Sequence, residues 1–314
     1  MVLVGPTASG KTGLAVALAR RYAAQGRPAE VVNADSMLVY RGMDIGTAKP
    51  DAAERDGVPH HLLDLLEVTQ TATVAQFQRL AREAIEDCRR RGVVPVVVGG
   101  SALYVRAVVD AFEFPGTDAD VRQRWEAELA AVGPEALHAR LAAADPQAAR
   151  RIPAANTRRV VRALEVVELT GGPYRAELPE LRYALPEVVQ IGLDVPRPVL
   201  DERIRSRVER MWDAGLVAEV ARLDQEGLRD GVTASRALGY RQVLAHLAGE
   251  LTEDQAREET VLATRRFARR QDAWFRRDPR ITWLAHDRPD LAEAAYAVAG
   301  PVPVGDGHDG RVGH

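Results

Sequence analysis

Apolar and polar positions fall in blocks along this chain, some continuous and short, others repeating at roughly the 3.6-residue period of an amphipathic helix. A short apolar run from Met1 to Val4 predicts a strand, and Leu14 to Tyr22 predicts a helix close behind it. Glu30-Val-Val-Asn-Ala-Asp35 predicts a second buried strand with an acid at its C-terminal end. The following segment, 36–50, is broken by Gly42 and Gly46 and suits a loop bordering a site. His60-His-Leu-Leu-Asp64 predicts a further short strand with its flanks. Thr73 to Arg91 predicts a helix, because Val74, Phe77, Leu80, Ala81, Ala84, Ile85 and Cys88 share one face and Gly92 stops it. Val93-Val-Pro-Val-Val-Val98 is apolar without alternation, as a central parallel strand buried on both faces should be, and ends in Gly99-Gly100-Ser101. Strand and helix alternating in this way predict an α/β fold, a doubly wound parallel sheet.

The character changes after Phe112. Pro115-Gly116 breaks the pattern, and the residues up to about Pro186 are helical, polar and free of strand-like runs. An inserted helical subdomain over 113–186, inside a core of 1–112 and 187–285, is the expected organisation. Val188 to Asp194 returns as a strand, followed by a helix whose Arg203 and Arg207 share a face. Further helices are predicted over Val217–Gly227, Tyr240–Ala248 and Glu253–Trp274. The C-terminal segment 286–314 is turn-rich after Pro301 and is expected to be mobile there.

The junction of the first strand and helix carries the most specific signal. Gly5-Pro6-Thr7-Ala8-Ser9-Gly10-Lys11-Thr12 has the spacing of a phosphate-binding loop, in which backbone N–H groups and a helix N-terminus converge on an anion. Only two of the 42 basic residues, Lys11 and Lys49, are lysine. A flat guanidinium cannot replace a compact ammonium inside a tight phosphate nest, which accounts for Lys11; Lys49 is left open. The composition is otherwise that of a globular protein, with 46% hydrophobic and 28% charged residues, and no apolar run is long enough for a membrane span. One cysteine, no apolar leader and no membrane segment lead to the expectation of a cytoplasmic protein, Cys88 reading as filler. The histidine pair has no third ligand at metal spacing and is expected to hydrogen-bond or stack. With a net charge of −3, any nucleic-acid partner must be held by local patches.

A gripped phosphate does not say which bond breaks. Phosphoryl transfer would call for a strand-end aspartate organising magnesium and an arginine-rich lid, for which Asp35, Arg203 and Arg207 are available. The strand ending in Gly99-Gly100-Ser101, however, offers no carboxylate there. Alternatively the diphosphate is a leaving group: a nucleophile attacks the attached carbon, Lys11, the loop and an arginine absorb the charge, and Asp35 takes the proton. A third possibility is an RNA-binding module whose phosphate loop is only structural.

Several ordered strings carry a resemblance that favours the second of these options, with a small-molecule kinase on the same fold as the alternative. The phosphate loop, Asn33-Ala-Asp-Ser36, Tyr40-Arg-Gly-Met-Asp-Ile-Gly-Thr-Ala-Lys-Pro50, Val98-Gly-Gly-Ser101, Arg162-Ala-Leu-Glu165, Gly239-Tyr-Arg241 and Arg269-Arg-Gln-x-x-Trp-Phe-Arg276 together resemble the tRNA dimethylallyltransferases, from residue 1 to about 285. The resemblance implies a kinase-like core, a helical insertion gripping the anticodon stem, magnesium, and a monomer that moves an isopentenyl group from dimethylallyl diphosphate to N6 of the adenine beside the anticodon. It makes Asp35 the general base, joined by Ser101, which stands where the family usually has threonine. Diphosphate contacts fall on the loop from Gly5 to Thr12 and on Arg207, with Thr12 as metal ligand. Contacts to tRNA fall on Asp35, Ser36, Met37, Leu38, Ser101, Arg122, Arg158, Arg159, Arg162, Arg236, Gly239, Tyr240, Arg241, Arg269, Arg270, Gln271, Trp274 and Arg276. Local charge agrees: between Val261 and Arg280 seven arginines stand against two aspartates, interleaved with Phe267, Trp274 and Phe275, a mixture suited to phosphates and unstacked bases.

Overall fold

The computed structural model describes residues 1–174 and 180–300, so the expected mobile tail after Pro301 lies outside the described residues. The chain divides into two compact units, one of Met1–Asp110 with everything from Tyr183 onward, the other Ala111–Arg182. These boundaries come a few residues before the expected 113 and 186. The reason is local: Ala184 N–H still donates to Val109 and Ala111 N–H to Arg182, so the chain leaves and returns through one narrow antiparallel bridge.

In the first unit, β1 (Val2–Val4) leads through the phosphate loop into α1 (Lys11–Ala23), and β2 (Ala29–Asn33) is followed by the single-turn α2 (Ala52–Arg55) and the two-residue β3 (His60–His61). Next come α3 (Val74–Arg90), β4 (Val94–Gly99) and α4 (Ala102–Val109). The second unit holds α5 (Ala119–Ala144), kinked at Gly133, then α6 (Pro146–Arg151) and α7 (Thr157–Thr170), closed around Leu137, Leu141, Ile152, Val160 and Leu164. The chain then re-enters the first unit as β5 (Gln190–Asp194), α8 (Arg197–Asp213), α9 (Leu216–Gln225), α10 (Tyr240–Leu247), α11 (Glu253–Phe275), β6 (Ile281–Ala285) and α12 (Leu291–Ala299).

All six strands are parallel, in the order β3-β2-β4-β1-β5-β6. Both faces are covered. Val2, Val4, Val32 and Val97 pack into one core with Phe77, Val105, Leu216 and Tyr240, whereas Leu3, Val31, Val96, Ile191 and Leu193 face the opposite side, toward Leu14, Leu18 and Tyr22. Alternate residues of each strand therefore feed different cores, which is why the strands read as unbroken apolar runs. Because the strands run in one direction, the residues that follow β1, β2, β4 and β5 emerge at a single edge, bringing Gly5, Asp35, Gly100 and Asp194 to the place where such sheets bind ligands.

Candidate active site

The phosphate loop turns on Ala8 and Gly10, both in left-handed backbone geometry at φ 64° and 100°. Lys11 folds back over it, its ammonium donating to the carbonyls of Gly5 (2.9 Å) and Pro6 (2.7 Å) and reaching Ser9 Oγ at 3.4 Å. Burial, and then the charge of Arg207, push the Lys11 ammonium down to about 7, against a smaller opposing pull from Asp35. Arg207 donates to Thr7 Oγ1 at 3.3 Å, and burial with the neighbouring Arg210 lowers its own pKa. From one turn earlier on α8, Arg203 reaches Ser9 O at 3.5 Å and His286 Nδ1 at 3.0 Å. A cleft of about 530 Å³ opens here, lined by Ser9, Gly10 and these three arginines among others. The site concentrates positive charge that only an anion can relieve.

Two residues beyond β2, Asp35 is fixed from both sides. Its N–H donates to Asn33 Oδ1 (2.8 Å), its carbonyl accepts from Asn33 Nδ2 (2.9 Å), and its Oδ1 accepts the N–H of Met37 (2.9 Å). One carboxylate oxygen thus caps the turn of Ser36, Met37 and Leu38, and the other accepts no hydrogen bond among the described residues. Ser101 occupies the N-cap position of α4, yet its side chain makes no capping bond, so the hydroxyl is left to the site. Burial, followed by the neighbouring Tyr40 phenol and the Asp35 carboxylate, drives the Tyr104 hydroxyl up to about 12, so it stays protonated at neutral pH.

Loop 36–50 is clamped by groups that sequence reasoning left aside. Glu219 of α9, 7% exposed, accepts the N–H groups of Asp44 (3.1 Å), Ile45 (2.8 Å) and Gly46 (3.2 Å) and the Tyr240 hydroxyl (2.5 Å). A Cβ on Gly46 would lie 2.5 Å from the Tyr240 ring, so only glycine fits. Lys49, 8% exposed, donates to Tyr40 O, Asp44 Oδ1 and Asp64 Oδ1 at 2.6 to 2.7 Å, which answers why this second lysine stands where it does. The available signal for Glu219 was an acid on the apolar stripe of Leu216, Val220 and Leu223. Glu219→Ala would strand three backbone donors and a buried phenol, and is expected to cost about 3 kcal/mol or more. Chemical denaturation reads this directly, and a loss under 1 kcal/mol would show that the clamp is not needed.

A family model described as IPP transferase matches residues 38–278. The chain belongs to the IPP transferase family. It is similar to the tRNA dimethylallyltransferase of Thermobifida fusca (strain YX), 64% identical over 298 residues that cover 95% of this chain and 93% of that one. It is also similar to the crystal structure of the full-length tRNA isopentenylpyrophosphate transferase from Bacillus halodurans, with 39% identity, a TM-score of 0.68 and 95% of each chain covered. A eukaryotic dimethylallyltransferase acting on tRNA shares the fold with a TM-score of 0.76 at 24% identity, covering 95% of this chain and 77% of that one.

Within this IPP transferase, the residues that resemblance assigned to tRNA are not all accessible. Tyr240 is fully buried, its hydroxyl committed to Glu219 and held well above its usual pKa by burial and that charge; Gly239 is buried beside it. α10 turns this pair inward as a support, whereas Arg236 and Arg241 are exposed. Gln271 is 5% exposed and bonded to the phosphate loop, so it belongs to the same edge as Thr7 and not to the exposed face of α11. On the same α11, Arg269, Arg270 and Trp274 are exposed, with the Arg277 guanidinium 5.7 Å from the Trp274 ring centre. Arg276 is exposed but engaged, pairing with Asp194 and Asp272 and stacking 3.8 Å from the Trp283 ring centre. In the second unit, Arg122 and Arg162 both bind the fully buried Glu165, which also accepts from Thr117; Arg158 and Arg159 are exposed on α7.

The histidine pair has neighbours that sequence spacing could not show. His61 Nε2 lies 2.6 Å from Glu30 Oε2 and 3.8 Å from Cys88 Sγ. The Arg91 guanidinium already forms two bonds to Glu30 at 2.6 and 2.8 Å and supplies the cation of this group. Burial, followed by the Glu30 charge, lifts the Cys88 thiol to about 12, so it stays protonated at neutral pH.

Proposed function

We propose that this chain transfers a dimethylallyl group from dimethylallyl diphosphate to N6 of the adenine 3′-adjacent to the anticodon of a tRNA, releasing diphosphate. The reading rests on one juxtaposition: a carboxylate with a free oxygen, Asp35, stands at the same sheet edge as a phosphate loop, and β4 between them ends in Gly99-Gly100-Ser101 with no acid. The names of the relatives agree with it. The N6 lone pair attacks the carbon bearing the diphosphate, and the carbon–oxygen electron pair departs onto the ester oxygen. Asp35 removes the proton that the new bond makes acidic. Lys11, Arg207 and the loop N–H groups receive the charge of the leaving diphosphate, and the Ser101 hydroxyl helps to hold the amine.

The exposed Thr12 hydroxyl, at the first turn of α1 and without a hydrogen bond among the described residues, is the side chain that would hold a magnesium ion here. Such an ion would supply further neutralisation of the leaving group. A monomer in the cytoplasm completes the reading. Incubation with tRNA and labelled dimethylallyl diphosphate tests it. Label should appear in the RNA; none in the RNA, with phosphate transferred from ATP instead, would overturn it.

The exposed cations of α11 give this reading a second check. Arg269→Ala with Arg270→Ala should weaken tRNA binding and reduce the slope of log affinity against log salt by about one unit per lost phosphate contact. Arg276→Ala should reduce it less, because that guanidinium is already paired. Equal slopes in the wild type and the double variant would remove the patch from the RNA interface.

A further inference from the structure

Gln271 sits where a neutral donor would matter most. It is 95% buried, and its Oε1 accepts the N–H of Thr7 in the phosphate loop at 2.9 Å. That bond fixes the amide orientation, since the NH₂ group turned toward Thr7 would set donor against donor. Nε2 is therefore the end directed toward the sheet edge. There it lies so close that a Cβ on Gly100 would be 2.7 Å from it and 3.6 Å from the carbonyl of Gly5. Gly100 immediately precedes Ser101, and the Gly5 carbonyl holds Lys11. Nε2 thus occupies the junction of the β1 and β4 ends, between the phosphate loop and the turn carrying Ser101. It donates to no atom among the described residues.

Although the residue is 95% buried, Nε2 is not among the fully enclosed unpartnered side-chain atoms, so it opens to the site, where water or a ligand acceptor can complete it. An amide neither gives up nor takes a proton at neutral pH, so acid–base work is excluded and an acceptor is required. Resting on the prenyl-transfer reading, the diphosphate lies on the loop side and the amine on the Asp35 side, so the bond that breaks spans the junction. We propose that Gln271 Nε2 donates a hydrogen bond to the ester oxygen of the allylic diphosphate. Carbon–oxygen cleavage leaves an electron pair on that oxygen, and the bond from Nε2 strengthens as the charge develops. No proton moves from the amide. Gln271 is then a catalytic residue toward the leaving group, distinct from Lys11 and Arg207, which face the phosphates.

The test crosses two variants with two donors. Single-turnover transfer to tRNA is measured for wild type, Gln271→Met and Gln271→Glu, using dimethylallyl diphosphate and its analogue with sulfur in place of the bridging ester oxygen. Sulfur is a weak acceptor, so the analogue removes the proposed bond from the substrate side. With the oxygen ester, Gln271→Met should be about 10²-fold slower, the effect of losing one donor to a developing oxyanion. With the sulfur ester the wild type is slower, and the difference between it and Gln271→Met should shrink to within about threefold. Gln271→Glu retains an acceptor for the Thr7 N–H, and so the loop contact, but should be slow with the oxygen ester because its donor is gone. Equal penalties of Gln271→Met on both donors overturn the assignment, as does a wild-type rate in Gln271→Glu or a loss confined to tRNA affinity. No label transferred by the wild type overturns the proposed function and this assignment with it.

Discussion

Asp35→Asn is expected to slow transfer by about 10²- to 10⁴-fold, the range for lost general-base catalysis, while both substrates bind nearly as before. The substitution is close to isosteric. Its amide oxygen can still accept the Met37 N–H, and Asn33 still brackets the backbone at this position, so the turn of 36–38 should persist. What is lost is the free carboxylate oxygen. The exocyclic amine is a poor nucleophile because its lone pair is delocalised into the ring, and its protons become acidic only as the carbon–nitrogen bond forms. Removal is thus required late, and an amide cannot perform it. Single-turnover transfer at saturating substrates is the measurement. A variant within a few-fold of wild type would take Asp35 out of the mechanism.

Lys11→Met should lower turnover by about 10³-fold or more, since it removes the loop's own cation from the charge that develops on the departing diphosphate. Its pH behaviour is equally specific. With its pKa down at about 7, Lys11 is largely neutral above that pH when no ligand is bound. A bound diphosphate favours the charged form, so binding takes up a proton above pH 7. Affinity should therefore fall by up to about tenfold per unit as pH rises from 7 to 9. Calorimetry in two buffers of different ionisation enthalpy measures that proton, and Lys11→Met should abolish the uptake attributable to this side chain. For the ligand-free protein the sign is opposite. The unfolded chain binds the Lys11 proton up to the ordinary lysine value of 10.5, so this group's contribution to stability rises with pH between about 7 and 10.5. Unchanged proton uptake in Lys11→Met would assign the titration elsewhere.

The parallel core was legible because strands buried on both faces are mostly apolar, and β1, β2, β4 and β5 show as apolar runs with polar residues such as Asn33 and Gln190 at their ends. β6 did not. It is an edge strand with exposed Thr282 and Ala285, entered a few residues after the end of α11, and its short alternation merged into the end of that helix in the sequence. The helix α12 was hidden for a related reason, lying in a segment read only for its turn-rich end. Resemblance carried residue identities to Tyr240 and Gln271 but not the directions of their side chains, which depend on Glu219 and Thr7 far away in sequence. The arginine patch had the same weakness. Arg269 and Arg276 look alike as letters, yet one is exposed and the other is spoken for by two aspartates and a tryptophan.

The position of β1 has a consequence for how the protein is made. Of the six described strands, the first in chain order lies near the middle of the sheet, and one of its two neighbours, β5, begins only at Gln190. The clamp on loop 36–50 arrives later still, with Glu219 and Tyr240, and Gln271 is added when α11 is complete. The catalytic edge is consequently assembled by the last third of translation, while the second unit, encoded between β4 and β5, has its own core and can close before that edge exists. A nascent chain released after residue 182 would hold a phosphate-loop sequence whose β1 pairs with β4 on one side and leaves its other edge open, a species for chaperones and proteases and not a reduced enzyme.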